Sequence, residues 1–234
     1  MKMPMLYTII KTLTFVIIVN IGVAQNFIST YSDGIIREKG DTINGQKTGA
    51  WFFYYPNGTL NLEERYIEGQ LDGISKQYYK SGTLKSIESF KRGSLNDSSF
   101  YFYENGRIEK KGIYEGDLYE GRWSFYYATG VLKRIGEYVN GNPEGEWQFF
   151  NKNGTVEFQG KMTNGSKEGE WSSFYENGKL YSKGNYEADL KVGFWEFYDE
   201  KGRIVESGFY KKDKKIGEWS VFDKKGKKIG SEIF

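Results

Sequence analysis

One beat of 24 residues runs through this chain. All six tryptophans keep it: Trp51, Trp123, Trp147, Trp171, Trp195 and Trp219. The first gap is three periods and each later gap is one. Every Trp stands two residues after a glycine. A second ladder, Gly34, Gly58, Gly82, Gly106, Gly130, Gly154, Gly178, Gly202 and Gly226, keeps the same spacing with no insertion or deletion. A strict short period means one small supersecondary unit stacked on copies of itself. It also argues against an enzyme, because a catalytic site needs dissimilar groups converging on one point.

Composition narrows the chemistry. The chain has 19 Tyr, 17 Phe and 6 Trp, so an array of it buries aromatic faces between neighbours and has no thick aliphatic core. Cys and His are both absent. That excludes disulfides, thiolate and imidazole metal sites, Cys nucleophiles and His bases. No catalytic, cofactor-binding or metal-binding residues are expected.

The N-terminus reads as a secretory signal peptide over residues 1–24. Lys2 and Lys11 are basic, Leu13 to Ala24 is a short apolar run, and Gly22-Val23-Ala24 is a small-residue cleavage site. Cleavage there would remove two of the 33 basic residues, leaving 31 against 31 acidic. A neutral mature chain gives no electrostatic case for nucleic acid. The expected location is outside the cytoplasm: periplasmic, outer-membrane-associated or secreted.

Numbering each unit from the glycine before Trp gives starts at Gly49, Gly73, Asp97, Gly121, Gly145, Gly169, Gly193 and Gly217. Residues 25–48 form a partial unit and 49–234 hold eight, the last cut short. Positions 3 to 7 are rich in strand-forming aromatics. Positions 8 to 10 end in Asn-Gly at Asn57-Gly58, Asn105-Gly106, Asn153-Gly154 and Asn177-Gly178, a strong hairpin signal. A return strand with an aliphatic at position 12 and an aromatic at position 18 follows. Positions 19 to 24 read as a polar connection. The expected fold is all-β: an elongated, single-layer twisted meander of antiparallel hairpins.

A turn centred between positions 9 and 10 sets position 3 opposite position 16, which is Gly at 112, 136, 160, 184 and 208. A Trp ring laid over a facing glycine shields bare backbone. Two units break the match: Trp51 would face Glu64, and Ser99 would face Gly112. Positions 3, 5, 7, 12 and 18 are expected on one face. Position 6 is aromatic in all eight units and points the other way: Tyr54, Tyr78, Phe102, Tyr126, Phe150, Phe174, Tyr198 and Phe222. This row is either a binding surface or a second hydrophobic seam.

The pattern Gly-x-Trp-x-Phe-Tyr-x-x-x-Gly-x-Leu-x-x-x-Gly-x-Tyr resembles the MORN-repeat variant family. Tyr114 to Trp123 and Tyr138 to Trp147 carry the likeness most clearly. Ser75 and Ser99 in place of Trp, and Asp97 in place of Gly, depart from it. The resemblance implies a non-catalytic sheet used for protein–protein or protein–membrane contact. Many bacterial chains of this kind are grouped with YwqK-like antitoxins.

Pairs such as Glu144/Glu146 and Glu168/Glu170 suggest acid–base carboxylates, yet they recur as scaffold positions do. The lysines from Lys211 to Lys228 are either a patch for an anionic partner or a charged cap on an edge strand. The leading expectation is an exported scaffold that binds an unidentified protein, with a glycan or membrane surface as other partners. The alternatives are a carbohydrate or cell-envelope module using the aromatic rows, and a YwqK-like antitoxin or immunity-type protein. No cofactor is implied.

Overall fold

The computed structural model describes residues 22–234. The signal-peptide reading, except for its last three residues, lies outside them. The described residues form one open antiparallel sheet of twenty strands that follow one another in chain order, each paired with the next except where two short pieces share one neighbour. The partial unit supplies β1 (Gln25–Thr30) and β2 (Ile36–Ile43), and Phe27 takes the place of Trp in it.

The repeat is clearest from β11 (Leu118–Tyr126) through β12 (Leu132–Val139), β13 (Asn142–Phe150), β14 (Val156–Thr163), β15 (Ser166–Phe174), β16 (Leu180–Glu187) and β17 (Leu190–Tyr198) to β18 (Ile204–Lys211) and β19 (Lys214–Phe222). Strands of nine and eight residues alternate there. The polar connection expected at positions 19 to 24 is mostly strand, reduced to a two-residue turn. Both central residues of that turn have positive φ, as at Asn140 (49°) and Gly141 (80°), the signature of a type I′ turn.

The Asn-Gly turns are of another kind. At Tyr55-Pro56-Asn57-Gly58, the Gly58 N–H donates to the Tyr55 carbonyl, and only Gly58 has positive φ, at 80°. This is a type I turn closed by a left-handed glycine. Asn57 contributes its side chain, accepting from the Thr59 N–H at 3.1 Å. The primed turns therefore sit one strand away from where the Asn-Gly pairs suggest them.

Position 1 is a bulge. Trp171 pairs with Gly160 and Glu168 with Lys161, leaving Gly169 and Glu170 over, with Gly169 at φ 69°. Asp97 takes the same left-handed conformation, at φ 79°, in the unit that lacks the glycine. Asp tolerates it better than most residues. In the two Ser units the incoming strand is broken into β5 (Gln70–Leu71) and β6 (Gly73–Tyr78), and into β8 (Ser94–Leu95) and β9 (Asp97–Phe102).

The core lies on one face of the sheet and is built of aromatics. All six Trp are buried, with Tyr114 and Tyr138 set edge-on to Trp123 and Trp147 at 5.1 Å. The expected register holds: Trp123 pairs with Gly136, Trp147 with Gly160, Trp171 with Gly184 and Trp195 with Gly208. The ring, however, covers a different glycine. Trp51, Trp123, Trp147, Trp171, Trp195 and Trp219 lie on Gly40, Gly112, Gly136, Gly160, Gly184 and Gly208, each eleven residues earlier in the preceding strand. A Cβ on Gly160 would stand 2.5 Å from Trp171 Cδ2. In five of the six the indole N–H donates to the carbonyl beside that glycine, as to Asp41 for Trp51 (3.0 Å), Ile113 for Trp123 (2.9 Å) and Lys161 for Trp171 (2.9 Å). Trp147 covers Gly136 all the same while donating to the Glu144 carbonyl of its own strand at 3.2 Å.

This neighbour accounts for every exception. Ser75 faces Glu64 and Ser99 faces Glu88 by the register that pairs Glu63 with Lys76 and Ile87 with Phe100. Large opposes small in all eight cases, either Gly then Trp or Glu then Ser. The Glu88 carboxylate crosses the buried Ser99, accepting from Ser86 Oγ at 3.1 Å and Tyr101 Oη at 2.5 Å.

Candidate functional site

Position 6 does lie on the face away from Trp. The Lys39 ammonium stands 5.6 Å from both the Phe52 and Tyr54 rings, which places them together on that face. Position 12 joins them there, correcting its expected place beside Trp. Tyr54 pairs with Leu60, Tyr126 with Leu132, Phe150 with Val156 and Phe174 with Leu180. A one-residue bulge after position 12 reverses the alternation. Tyr54, Tyr78, Phe102, Tyr126, Phe150, Phe174, Tyr198 and Phe222 are all half-buried. Each is set against position 12 of its own hairpin, which is aliphatic in all but the last unit, where Lys228 faces Phe222. Their geometry is that of a seam and not of an open stacking platform.

The ladder glycines 58, 82, 106, 130, 154, 178, 202 and 226 all have positive φ and close the turns at one edge of the sheet. That edge carries a device the sequence reading missed. The position-7 tyrosine donates its hydroxyl to the position-6 carbonyl of the next unit: Tyr31 to Tyr54, Tyr55 to Tyr78, Tyr79 to Phe102, Tyr103 to Tyr126, Tyr127 to Phe150 and Tyr175 to Tyr198, all at 2.7–2.8 Å. Tyr recurring at 24-residue spacing was the available signal. Asn151, Asp199 and Asp223 replace it and cap their own turns instead.

One member of each suspected carboxylate pair is spent on a turn. Glu144 Oε2 accepts from the Asn164 N–H at 3.0 Å, and Glu168 Oε2 from the Ala188 N–H at 3.2 Å, so both cap type I′ turns of the next unit. Burial, reinforced by hydrogen bonds to Glu64 and Glu88, holds the Tyr66 and Tyr101 phenols well above the usual tyrosine range. Among the described residues no cluster of three or more acidic side chains is placed to hold a metal ion.

The face opposite Trp is polar in its middle. Arg122, Glu137, Glu146, Lys161 and Glu170 line a shallow groove of about 720 Å³. Toward the C-terminal end the same positions turn apolar. Phe194 and Phe209 are cross-strand partners with rings 5.3 Å apart, 45% and 52% exposed, and Ile216 pairs with Phe209 on its other side. Lys211 and Lys214 pair with each other just beyond.

These features define an elongated β-repeat protein whose polar groups are spent on turns and unit junctions. Residues 47–68, 71–92, 119–140, 143–164 and 167–188 each match the MORN repeat variant. The chain belongs to that family, whose repeats are in general a non-enzymatic module. No curated protein matches the chain. Among solved structures, the Photorhabdus luminescens Tc holotoxin pore with mutation TccC3-D651A is 10% identical, with a TM-score of 0.21, over 90% of this chain and 14% of that one. The TcdB2-TccC3-Cdc42 structure is 12% identical, with a TM-score of 0.17, over 88% and 13%. This chain thus spans a small part of either, and scores this low bear on neither its fold nor its function.

Proposed function

We propose that this chain is an exported, non-catalytic scaffold that binds a protein partner through the face opposite its tryptophans. The observation that carries the reading is the Phe194–Phe209–Ile216 cluster. The same positions hold Arg122, Glu137 and Glu144 in unit four and Glu146, Lys161 and Glu168 in unit five. Elsewhere these positions mostly hold charged or polar residues, with single isoleucines at Ile74 and Ile113, so an edge-on pair of phenyl rings with a third apolar neighbour raised into solvent marks a contact surface. Aromatics of this kind serve as interface anchors. The lysines beside them favour a partner that sets acidic residues around an apolar centre. Export rests on the basic and apolar character of residues 1–24.

The test is affinity capture from a cell-envelope extract with the wild-type chain, a Phe194→Asp/Phe209→Asp variant and a Tyr126→Ala/Phe150→Ala variant, beside a glycan array. One protein held by the wild type and the Tyr126/Phe150 variant, and lost from the Phe194/Phe209 variant, is the expected result. Saturable glycan binding lost on Tyr126→Ala/Phe150→Ala would replace this reading with a carbohydrate module. Export is checked separately by fractionation and N-terminal sequencing, with Gln25 as the expected first residue.

A further inference from the structure

Within the run of tryptophan units from Trp123 to Trp219 the aromatic core has a gap. Its buried residues there fall into two clusters, one ending at Trp171 and the other beginning at Trp195. Between these rings lies a pocket of about 150 Å³, walled also by Phe158 and Tyr186 and floored by Ser173 and Ser182. The two hydroxyls lie 2.6 Å apart.

The cause is a pair of positions. Positions 5 and 14 are cross-strand partners on the Trp face. In units five and seven the pair is Phe149 with Phe158 and Phe197 with Glu206, whereas in unit six it is Ser173 with Ser182. Unit seven shows what such a pair does when filled. The Phe197 ring stacks 5.9 Å from Trp195, and the Glu206 carboxylate binds the Lys215 ammonium at 2.8 Å. Lys215 in turn stands 4.0 Å from the centre of the Trp219 ring. Lys47 repeats this arrangement with Glu38, at 3.6 Å.

Lys191 is the unit-six counterpart of Lys215. It stands over Trp195 at 4.8 Å and has Ser182 where Lys215 has Glu206. Lys167, over Trp171 at 4.7 Å, is the lysine of the pocket lining itself, whereas Lys191 stands just outside it, 5.2 Å from the Tyr210 ring. Among the described residues, neither ammonium has a carboxylate within ion-pair distance. The nearby Asp189 and Asp213 carboxylates accept from the backbone N–H groups of Lys167 and Lys191. Burial holds Lys167 below the usual lysine range. Leaving a half-buried cation without a partner is costly, and an incoming anion relieves that cost.

The gap therefore lacks one flat ring and one carboxylate, in the geometry that Phe197 and Glu206 show one unit on. We propose that the pocket between Trp171 and Trp195 binds an aromatic ring carrying a carboxylate, the ring between the indoles and the carboxylate toward Lys167, with Lys191 just beyond. The volume suits it, since an apolar-lined protein cavity of about 150 Å³ holds benzene. The chemistry has two sources: a free small aromatic acid, or an aromatic side chain beside an acidic one in another polypeptide. The site is on the face opposite Phe194 and Phe209, so its failure leaves the docking reading untouched.

Phenylacetate titrated into the full ¹⁵N-labelled chain tests this directly through the six indole N–H signals. Saturable shifts confined to Trp171 and Trp195 are expected. Lys167→Met should weaken phenylacetate about tenfold, the scale of one charged hydrogen bond, while leaving benzyl alcohol unchanged. Ser173→Phe/Ser182→Glu fills the gap from within and should abolish binding. Ser173→Leu serves the same end should that pair fail to fold. A blocked Phe-Asp peptide that binds more tightly than phenylacetate assigns the source to a polypeptide, and the reverse order to a free acid. Absence of saturable shifts, or shifts that survive filling of the gap, overturns the proposal.

Discussion

The indole of Trp147 rests on Gly136, its neighbour across the two-residue turn, and not on Gly160, its register partner across the Asn-Gly turn. Gly160 carries Trp171. Each tryptophan thus closes a contact with the unit before its own.

A side chain at Gly136 has no room beneath that ring. Gly136→Ala is expected to destabilise the chain by about 1–3 kcal/mol, the usual cost of overpacking. Gly136→Glu should cost more, and Trp147→Ser added to it should restore part of the loss, by analogy with Glu88 and Ser99. Urea unfolding of the two single variants and the pair measures this. Strict additivity would show that the Glu–Ser pairs are coincidence and not complementary packing.

Tyr127→Phe deletes the 2.8 Å hydrogen bond to the Phe150 carbonyl and little else. The expected loss is about 0.5–1.5 kcal/mol. Native-state hydrogen exchange should also show faster opening where the bridge is naturally missing, between Asn151 and Phe174 and between Asp199 and Phe222. Equal protection at all junctions would count against the tyrosine bridge as a stabilising contact.

Tyr66 and Tyr101 have phenols raised by burial first and by Glu64 and Glu88 second. The fold favours their neutral form. Their contribution is complete below the unfolded tyrosine value of about 10 and is lost as pH climbs toward the folded values. Stability should fall above about pH 10, and Tyr101→Phe should flatten the fall. Chemical unfolding across the alkaline range decides it; a Tyr101→Phe profile identical to wild type rules out this site.

Asp199 behaves in the opposite sense. Hydrogen bonds from the Arg203 guanidinium and N–H hold its carboxyl near a pKa of about 2. Its contribution is present above the ordinary aspartate value and fades as pH drops toward 2. A carboxyl-carbon NMR titration should give a midpoint of about 2 in the wild type. Arg203→Ala should move it back toward the ordinary value of about 4.

Much of this fold was legible because the period is exact in sequence and the hairpin register is local. Trp123 opposite Gly136 followed from turn length alone. The identity of the covered glycine did not, because an indole can lean toward either neighbouring strand and turn length does not choose between them. Leu132 went to the wrong face because a single bulged residue between it and Arg134 leaves no mark in composition. The type I′ turn at Ala188-Asp189 carries no glycine, so its sequence gave little sign of it. Position 6 was placed on the correct face, since no bulge separates it from Trp on its own strand. The Phe194–Phe209 cluster escaped notice because hydrophobic residues in a strand are read as core, and exposure depends on the face they are on.

The eleven-residue offset between glycine and tryptophan bears on how such an array grows. The family repeat is framed on the Asn-Gly hairpin, but the contact that must match lies within the hairpin of the two-residue turn, from Gly136 to Trp147. A copied block keeps its joints sound only when the residue left at each new end suits the residue it meets. Blocks from the tryptophan units can be added or removed freely, because every cut restores glycine to tryptophan. The two serine units can move only with the glutamate of the strand before them. The matched contact of this molecule is therefore out of phase with its visible repeat.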